Sequence, residues 1–165
     1  MSRCYLNGKY CVRCGREGPT PYLRDNAAVF DRCSKIMDIG CGNGRNTRFM
    51  QSRGFDVIPV DMVADFGKKV VLGTDPLPAA DKSVDGILAN YILMFLSSSE
   101  LKQVMKEIHR IAAPGCIMMA EFYAAKDSEA PTKSESIALQ KRVFDHLGWK
   151  KIKYSQERFI AVLPE

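Results

Sequence analysis

A chain of 165 residues with 24 Lys and Arg against 19 Asp and Glu, net +5, is expected to fold as one domain with a core of its own. No apolar run reaches membrane-spanning length and residues 1–9 hold no apolar signal core, so a cytoplasmic protein with no membrane partner is expected, its six cysteines reduced. The charge is uneven, +4 over residues 1–35, −2 over 36–132 and +3 over 133–165, and basic ends suit nucleic acid or an anionic substrate, or simply keep a small protein dissolved.

Gly8, Gly15, Gly18, Pro19 and Pro21 punctuate the first stretch, which reads as loop. Cys11-Val12-Arg13-Cys14 is a knuckle whose spacing lets two thiolates meet one metal ion. No second such pair follows, so a tetrahedral structural zinc would have to recruit Cys4 and Cys33, or a second chain. The alternative is a flap of reduced thiols without metal. Residues 22–34 set Leu23, Ala27, Val29, Phe30 and Cys33 on a helical stripe. Residues 1–34 are therefore expected to form a cysteine-containing flap and a leading helix, and 35–165 the main domain.

Ile36, Met37 and Ile39 mark a short buried strand over 35–39. Asp38-Ile39-Gly40-Cys41-Gly42-Asn43-Gly44-Arg45 then places three glycines at alternating positions, and a helix follows over about 43–53, stopped by Gly54. Strand, glycine turn and helix let a ligand lie against bare backbone, and the helix start offers N–H groups and partial positive charge to a carboxylate or phosphate. The dinucleotide fingerprint G-x-G-x-x-G is not met: the third glycine comes one position early and Arg45 stands where glycine is required. A second strand over 55–60 ends at Asp61, 21 residues after Gly40, where an acid would meet ribose hydroxyls.

Met62–Gly67 has room for one helical turn, and Lys69–Leu72 reads as a third strand at the sheet edge, beside Lys68 and Lys69. Residues 84–89 read as a fourth strand leading into Asn90 and Tyr91. Ligands of open α/β sheets bind outside such carboxyl ends. Serines 97–99 can cap a helix over about 99–112 whose apolar face is Leu101, Val104, Met105, Ile108 and Ile111. Ala113-Pro114-Gly115 stops it and a fifth strand over 117–123 carries Glu121 and Tyr123. Cys41 and Cys116 read as small buried fillers. A helix over 133–147 and two strands over 150–154 and 158–163 complete the chain.

The string Asp38 to Gly44 with Asp61 in register resembles the cofactor site of the class I S-adenosylmethionine-dependent methyltransferases. Leu77-Pro78 and Val84-Asp85 also fit that pattern. Arg45-Asn46, Gly54-Phe55-Asp56-Val57 and Met94-Phe95-Leu96 look like the tellurite-resistance type, small enzymes acting on soft nucleophiles such as thiols and chalcogen oxyanions. The resemblance implies an α/β, Rossmann-like, doubly wound sheet of seven strands in the order 3-2-1-4-5-7-6, strand 7 antiparallel. It implies S-adenosyl-L-methionine as cofactor. Asp38 would fix the glycine loop beside the amino-acid moiety. N–H groups from Gly40 through Cys41 and Gly42 to Asn43, with Arg45, would hold the methionyl part. Asp61 would accept the ribose hydroxyls, with Met62 next to it. Asp75 would take the adenine amino group, and Asn90 and Tyr91, at the switch point, would also bind the cofactor. Tyr91, Glu121 and Tyr123 are the candidates on the substrate side, with Tyr22 and Arg24 as possible pocket residues.

Methyl transfer from a sulfonium is an in-line displacement with an activated leaving group. The protein mainly holds the nucleophile within about 3–3.5 Å of the methyl carbon, and needs a base only for a protonated nucleophile. The absence of a Ser-His-Asp or Cys-His constellation fits that chemistry. Three functions are compatible with these residues: a methyltransferase for a small molecule, one for RNA or protein, and a non-catalytic cofactor-binding subunit. A monomer or homodimer is expected.

Overall fold

The computed structural model describes residues 5–6, 9–10, 18–63, 66–122, 138, 148–155 and 158–164. Cys4, Cys11 and Cys14, Tyr123 and nearly all of the helix expected over 133–147 lie outside the described residues. β1 (Tyr5–Leu6) and β2 (Lys9–Tyr10) pair antiparallel, where the sequence reads as loop. α1 (Pro21–Asn26) starts on Thr20, whose hydroxyl accepts the Leu23 N–H, with Pro21 in the first turn where its missing N–H costs nothing. A 3-10 turn, Ala27–Phe30, follows, so the single helix expected over 22–34 is two shorter pieces.

The main sheet uses β3 (Lys35–Ile39), β4 (Asp56–Asp61), β5 (Lys68–Lys69), β6 (Val84–Asn90), β7 (Ala112–Glu121), β8 (Lys150–Tyr154) and β9 (Arg158–Val162), in the order β5-β4-β3-β6-β7-β9-β8. The first five are parallel neighbours; β9 runs antiparallel to β7, and β8 antiparallel to β9. The expected Rossmann-like α/β sheet with an antiparallel return is present. α2 (Arg45–Ser52) links β3 to β4, and α3 (Ser98–Ile111) links β6 to β7. α3 opens with a full capping box, Ser97 accepting from Glu100 N–H while the Glu100 carboxylate accepts from Ser97 N–H.

Two expected boundaries move. β5 is only two residues long, because Asp75 accepts the Val71 N–H at 2.8 Å and curls the chain into a turn, carrying Val70 and Leu72 into the core instead of along the edge. β7 begins five residues before the expected 117, at Ala112 against Val84. A register shift before Ile117 absorbs Pro114, which has no N–H for a ladder, and Gly115 at φ +76°.

Strand alternation then sorts the side chains. Met37, Ile39, Ile87, Ala89, Met118 and Ala120 pack with the apolar stripe of α3. Ile36, Leu88, Met119 and Ile160 pack on the other face with Met50 of α2 and with Tyr22, Leu23, Ala27 and Phe30, so the leading helix is part of the main core. By the same period of two, Asp38, Asn90, Glu121 and Arg158 fall on the α1/α2 face, near the carboxyl ends of β3, β6 and β7 and at the start of antiparallel β9. At the opposite end the Asp85 carboxylate accepts Ser34 N–H, Ser34 O–H and Lys35 N–H, each at 2.8 Å, and ties β6 to the start of β3.

Candidate active site

Gly40, Gly42 and Gly44 all take left-handed φ, +70°, +55° and +75°. A Cβ at Gly40 would lie 2.6 Å from the Ile92 side chain, and one at Gly44 would lie 2.2 Å from the Phe66 ring. Gly42 differs: a Cβ there would meet nothing within 4 Å. Its bare face therefore opens onto space that a ligand could fill. The expected donation from this loop to a ligand needs correcting. Gly40 and Cys41 both donate their N–H to Val60 O, at 2.8 and 3.1 Å, and Gly42 donates to Asp61 Oδ2 at 2.9 Å. The tight turn sends these three donors back to β4 and leaves the Cα face of Gly42 bare. Phe66 folds over the loop: its carbonyl accepts the Cys41 thiol at 3.2 Å, and Arg48 lies 4.7 Å above its ring.

Asp61 faces this loop from the end of β4 and uses one oxygen on Gly42 N–H and the other on Val63 N–H, at 2.9 and 3.0 Å. A carboxylate has about four acceptor positions, so about two remain for hydroxyl donors. Met62, next to it, is 57% exposed. Asp38 is buried beneath the loop and accepts the Thr47 hydroxyl at 2.6 Å. Burial pushes its carboxyl up to about 6, opposed by the Thr47 bonds and raised further by the Asp61 charge; the Arg45 cation pulls the other way. Asn43 Oδ1 accepts the Arg45 N–H at 3.2 Å at the start of α2.

A second polar group lies beside the first. Glu121 is 1% exposed. Its Oε1 accepts the Thr20 hydroxyl and, at 3.0 Å, Asn90 Nδ2; its Oε2 accepts the Tyr91 hydroxyl at 2.8 Å and lies 3.8 Å from Arg158 Nε. Thr20 also receives Asn90 Nδ2 at 3.2 Å and donates its N–H to Asn46 Oδ1 at 2.9 Å, joining this cluster to α2. Tyr91 holds a left-handed φ of +59°, rare for a bulky residue and common at functional sites. Arg158 lies 5.3 Å over the Tyr22 ring, whose phenol is pushed up by burial and then by the Glu121 charge. Asn90 Oδ1 is buried and has no hydrogen-bond partner among the described residues. An unmade bond to a buried acceptor costs about 1–3 kcal/mol.

The structure thus gathers Asp38, Gly40, Cys41, Gly42, Asn43, Arg45 and Asp61 at one station, and Asn90, Tyr91 and Glu121 at the next. Asp75 is elsewhere: it holds Val71 N–H and lines a groove with Gln103, Val104 and Glu107 of α3. Arg24 is exposed and pairs with Asp25. Cys33 lies at the far end of the sheet, its thiol donating to Asp85 O at 3.1 Å and pushed up to about 12 by burial and then by the Asp85 charge. Among the described residues no group of three or more His, Cys, Asp or Glu could hold a metal ion, and no helix is long and apolar enough to cross a membrane. Sequence reading missed Thr20, Asn46 and Arg158. Thr20 before Pro21 carries a cap signal, which announces a helix start but not a partner on β7.

Residues 37–120 match the family model described as a methyltransferase domain. Among curated proteins, malonyl-[acyl-carrier protein] O-methyltransferase 1 of Coxiella burnetii is 33% identical over 91 residues, 51% of this chain and 32% of that protein. The match spans about a third of that relative's length. Among solved structures, the 1,6-didemethyltoxoflavin-N1-methyltransferase of Burkholderia thailandensis, solved with 1,6-didemethyltoxoflavin and S-adenosylhomocysteine, has a TM-score of 0.67 at 15% identity, covering 88% of this chain and 78% of that one. A TehB-like S-adenosylmethionine-dependent methyltransferase from Corynebacterium glutamicum has a TM-score of 0.63 at 22% identity, covering 87% and 86%. At these identities the structural likeness is one of fold.

Proposed function

Because the chain belongs to the methyltransferase domain family, we propose that it is an S-adenosylmethionine-dependent methyltransferase passing a methyl group to a small-molecule nucleophile by in-line displacement. The observation that carries this reading is Gly42, open on its Cα side, with Asp61 fastened beside it. When bound, S-adenosylmethionine supplies a methyl group already activated by a cationic sulfur. The protein's own part is to bind and orient. Asp61 offers its two remaining acceptor positions to ribose hydroxyls while keeping Gly42 and Val63 in place. Exposed Met62 offers an apolar face to the adenine. Asp38 and Arg45 lie where the amino-acid end would rest, and the Asn90–Tyr91–Glu121 cluster borders the acceptor. Holding reactants in line in this way is worth several kcal/mol without a base.

The test is calorimetric titration with S-adenosylhomocysteine and with NAD. Stoichiometric binding of the first alone is expected; failure to bind it would end this reading. A second reading, an acceptor carried on an acyl-carrier protein, is favoured by the likeness over 91 residues to the Coxiella burnetii protein. Methyl transfer to a malonyl thioester of carrier protein would establish it.

A further inference from the structure

We propose that the outward face of α3 docks an acidic helix of a partner protein, in a groove walled by Lys102, Lys106 and His109. The groove has a volume of about 400 Å³ and passes over Met105, with Arg110 at its end. Lys102, Lys106 and His109 are exposed, and none makes a hydrogen bond or ion pair among the described residues. Arg110 differs. Its Nη1 donates to Asp81 Oδ1 and Ala79 O, each at 2.8 Å, and its Nη2 to Glu107 Oε2 at 2.7 Å and Leu77 O at 2.9 Å. Arg110 therefore fixes the end of the groove, and the free charge belongs to the other three.

The helix gains nothing from this charge by itself. Lys102 and Lys106 stand four residues apart, where like charges repel and weaken a helix. An acid at 98, 99 or 103 would relieve them, and the chain has Ser98, Ser99 and Gln103 there. Both acids of α3 are committed elsewhere, Glu100 to the cap at Ser97 and Glu107 to Arg110. A cation at His109 suits the negative end of the helix dipole, but Lys102 lies in the half nearer the positive end.

Spacing and lining identify the partner. Along the axis the three cations lie about 6 Å and then about 4.5 Å apart. A second helix laid along α3 repeats carboxylates at i, i+4 and i+7 with the same spacings, so each meets one cation. Met105 and the lysine stems give the groove an apolar floor and walls, which suit the stems of glutamates. A single-stranded nucleic acid fits less well, because no Phe, Tyr or Trp lines the groove to stack on bases. A membrane surface fits less well too, because Met105 is 2% exposed and does not stand out to enter lipid. Docking here leaves the glycine loop open, since α3 packs on the sheet face away from α1 and α2. Partner binding and cofactor binding are therefore separate measurements.

The experiment uses the whole chain at neutral pH and low salt, with four probes. The first is a short helical peptide with Glu at i, i+4 and i+7 on one face. The second has the same composition with its Glu residues spread round the helix. The others are oligouridylate and phosphatidylglycerol vesicles. Fluorescence anisotropy follows the peptides and the RNA, and co-sedimentation follows the vesicles. The one-faced peptide is expected to bind tightest, about tenfold better than the spread one. The double variant Lys102→Glu/Lys106→Glu should weaken it about tenfold or more, with a parent-like thermal melt. Lys68→Glu/Lys69→Glu, an exposed pair on β5, should change it by less than about twofold. Lys102→Gln/Lys106→Gln removes the charge without reversing it and should give a smaller loss in the same direction, which keeps the test open if the reversed variant does not fold. No binding of the one-faced peptide, equal binding of the two peptides, an equal loss in the β5 variant, or tighter binding of the RNA or the vesicles overturns the proposal.

Discussion

Asp61→Ala tests the residue that fastens the glycine loop to the end of β4. Its carboxylate holds Gly42 N–H at 2.9 Å and Val63 N–H at 3.0 Å, one on each oxygen. Alanine removes both anchors and both acceptor positions left for the ribose. Hydrogen bonds to a charged group are worth about 1.5–3 kcal/mol, and Asp61 is half-buried, so the ligand should lose an amount toward the lower end, about ten- to thirtyfold in Kd. The loop itself should loosen. With about 2–4 °C of Tm per kcal/mol at this chain length, a fall of several degrees is expected. Asp61→Asn keeps one acceptor oxygen and turns an NH2 toward the other backbone donor, so it should lie between the two in both measurements. The assay is calorimetric titration with S-adenosylhomocysteine beside thermal melts by circular dichroism. An unchanged Kd in a folded Asp61→Ala protein would refute the ribose placement.

Gly44→Ala must carry a left-handed φ of +75° and drive a methyl into the Phe66 ring; it should cost about 1–2 kcal/mol from the backbone alone and abolish S-adenosylhomocysteine binding, and a melt matching the parent would contradict it. Ser97→Ala removes the hydroxyl that accepts Glu100 N–H and half of the capping box; a loss of about 1 kcal/mol in urea unfolding is expected, with ligand binding untouched. Asp38 is held near 6 by burial, against 3.8 for the free group, so its contribution to stability is fully present below about pH 4 and is lost as pH rises through 6. Asp38→Asn does not titrate. The stability of the parent relative to this variant should therefore fall by up to about 3 kcal/mol between pH 4 and 7; a constant difference in urea midpoints would show that burial does not raise this carboxyl.

Several features were legible from short stretches of sequence because short-range physics fixes them. The alternating glycines behind Ile36, Met37 and Ile39 permit left-handed turns at little cost, and Asp61 follows at the spacing of one strand–helix–strand unit. Ser97 with Glu100 forms its capping box from neighbours three residues apart. β8 and β9 needed only local apolar patterning and a short connection. Other features depended on the assembled sheet. Thr20 and Glu121 stand 101 residues apart in the chain, and only the order that sets β6 between β3 and β7, with α1 laid across that face, brings them together around Asn90. The contraction of β5 turned on Asp75 capping Val71, a competition between a turn and an edge strand that the stretch Val70–Asp75 leaves undecided. The direction of the loop N–H groups was likewise set by where Val60 O ends β4. The sequence alone determined which segments could take which backbone shapes, since those preferences act over a few residues. The tertiary structure decided which polar side chains meet and which acceptor is left unpaired, since that depends on strand order and on which face each residue occupies.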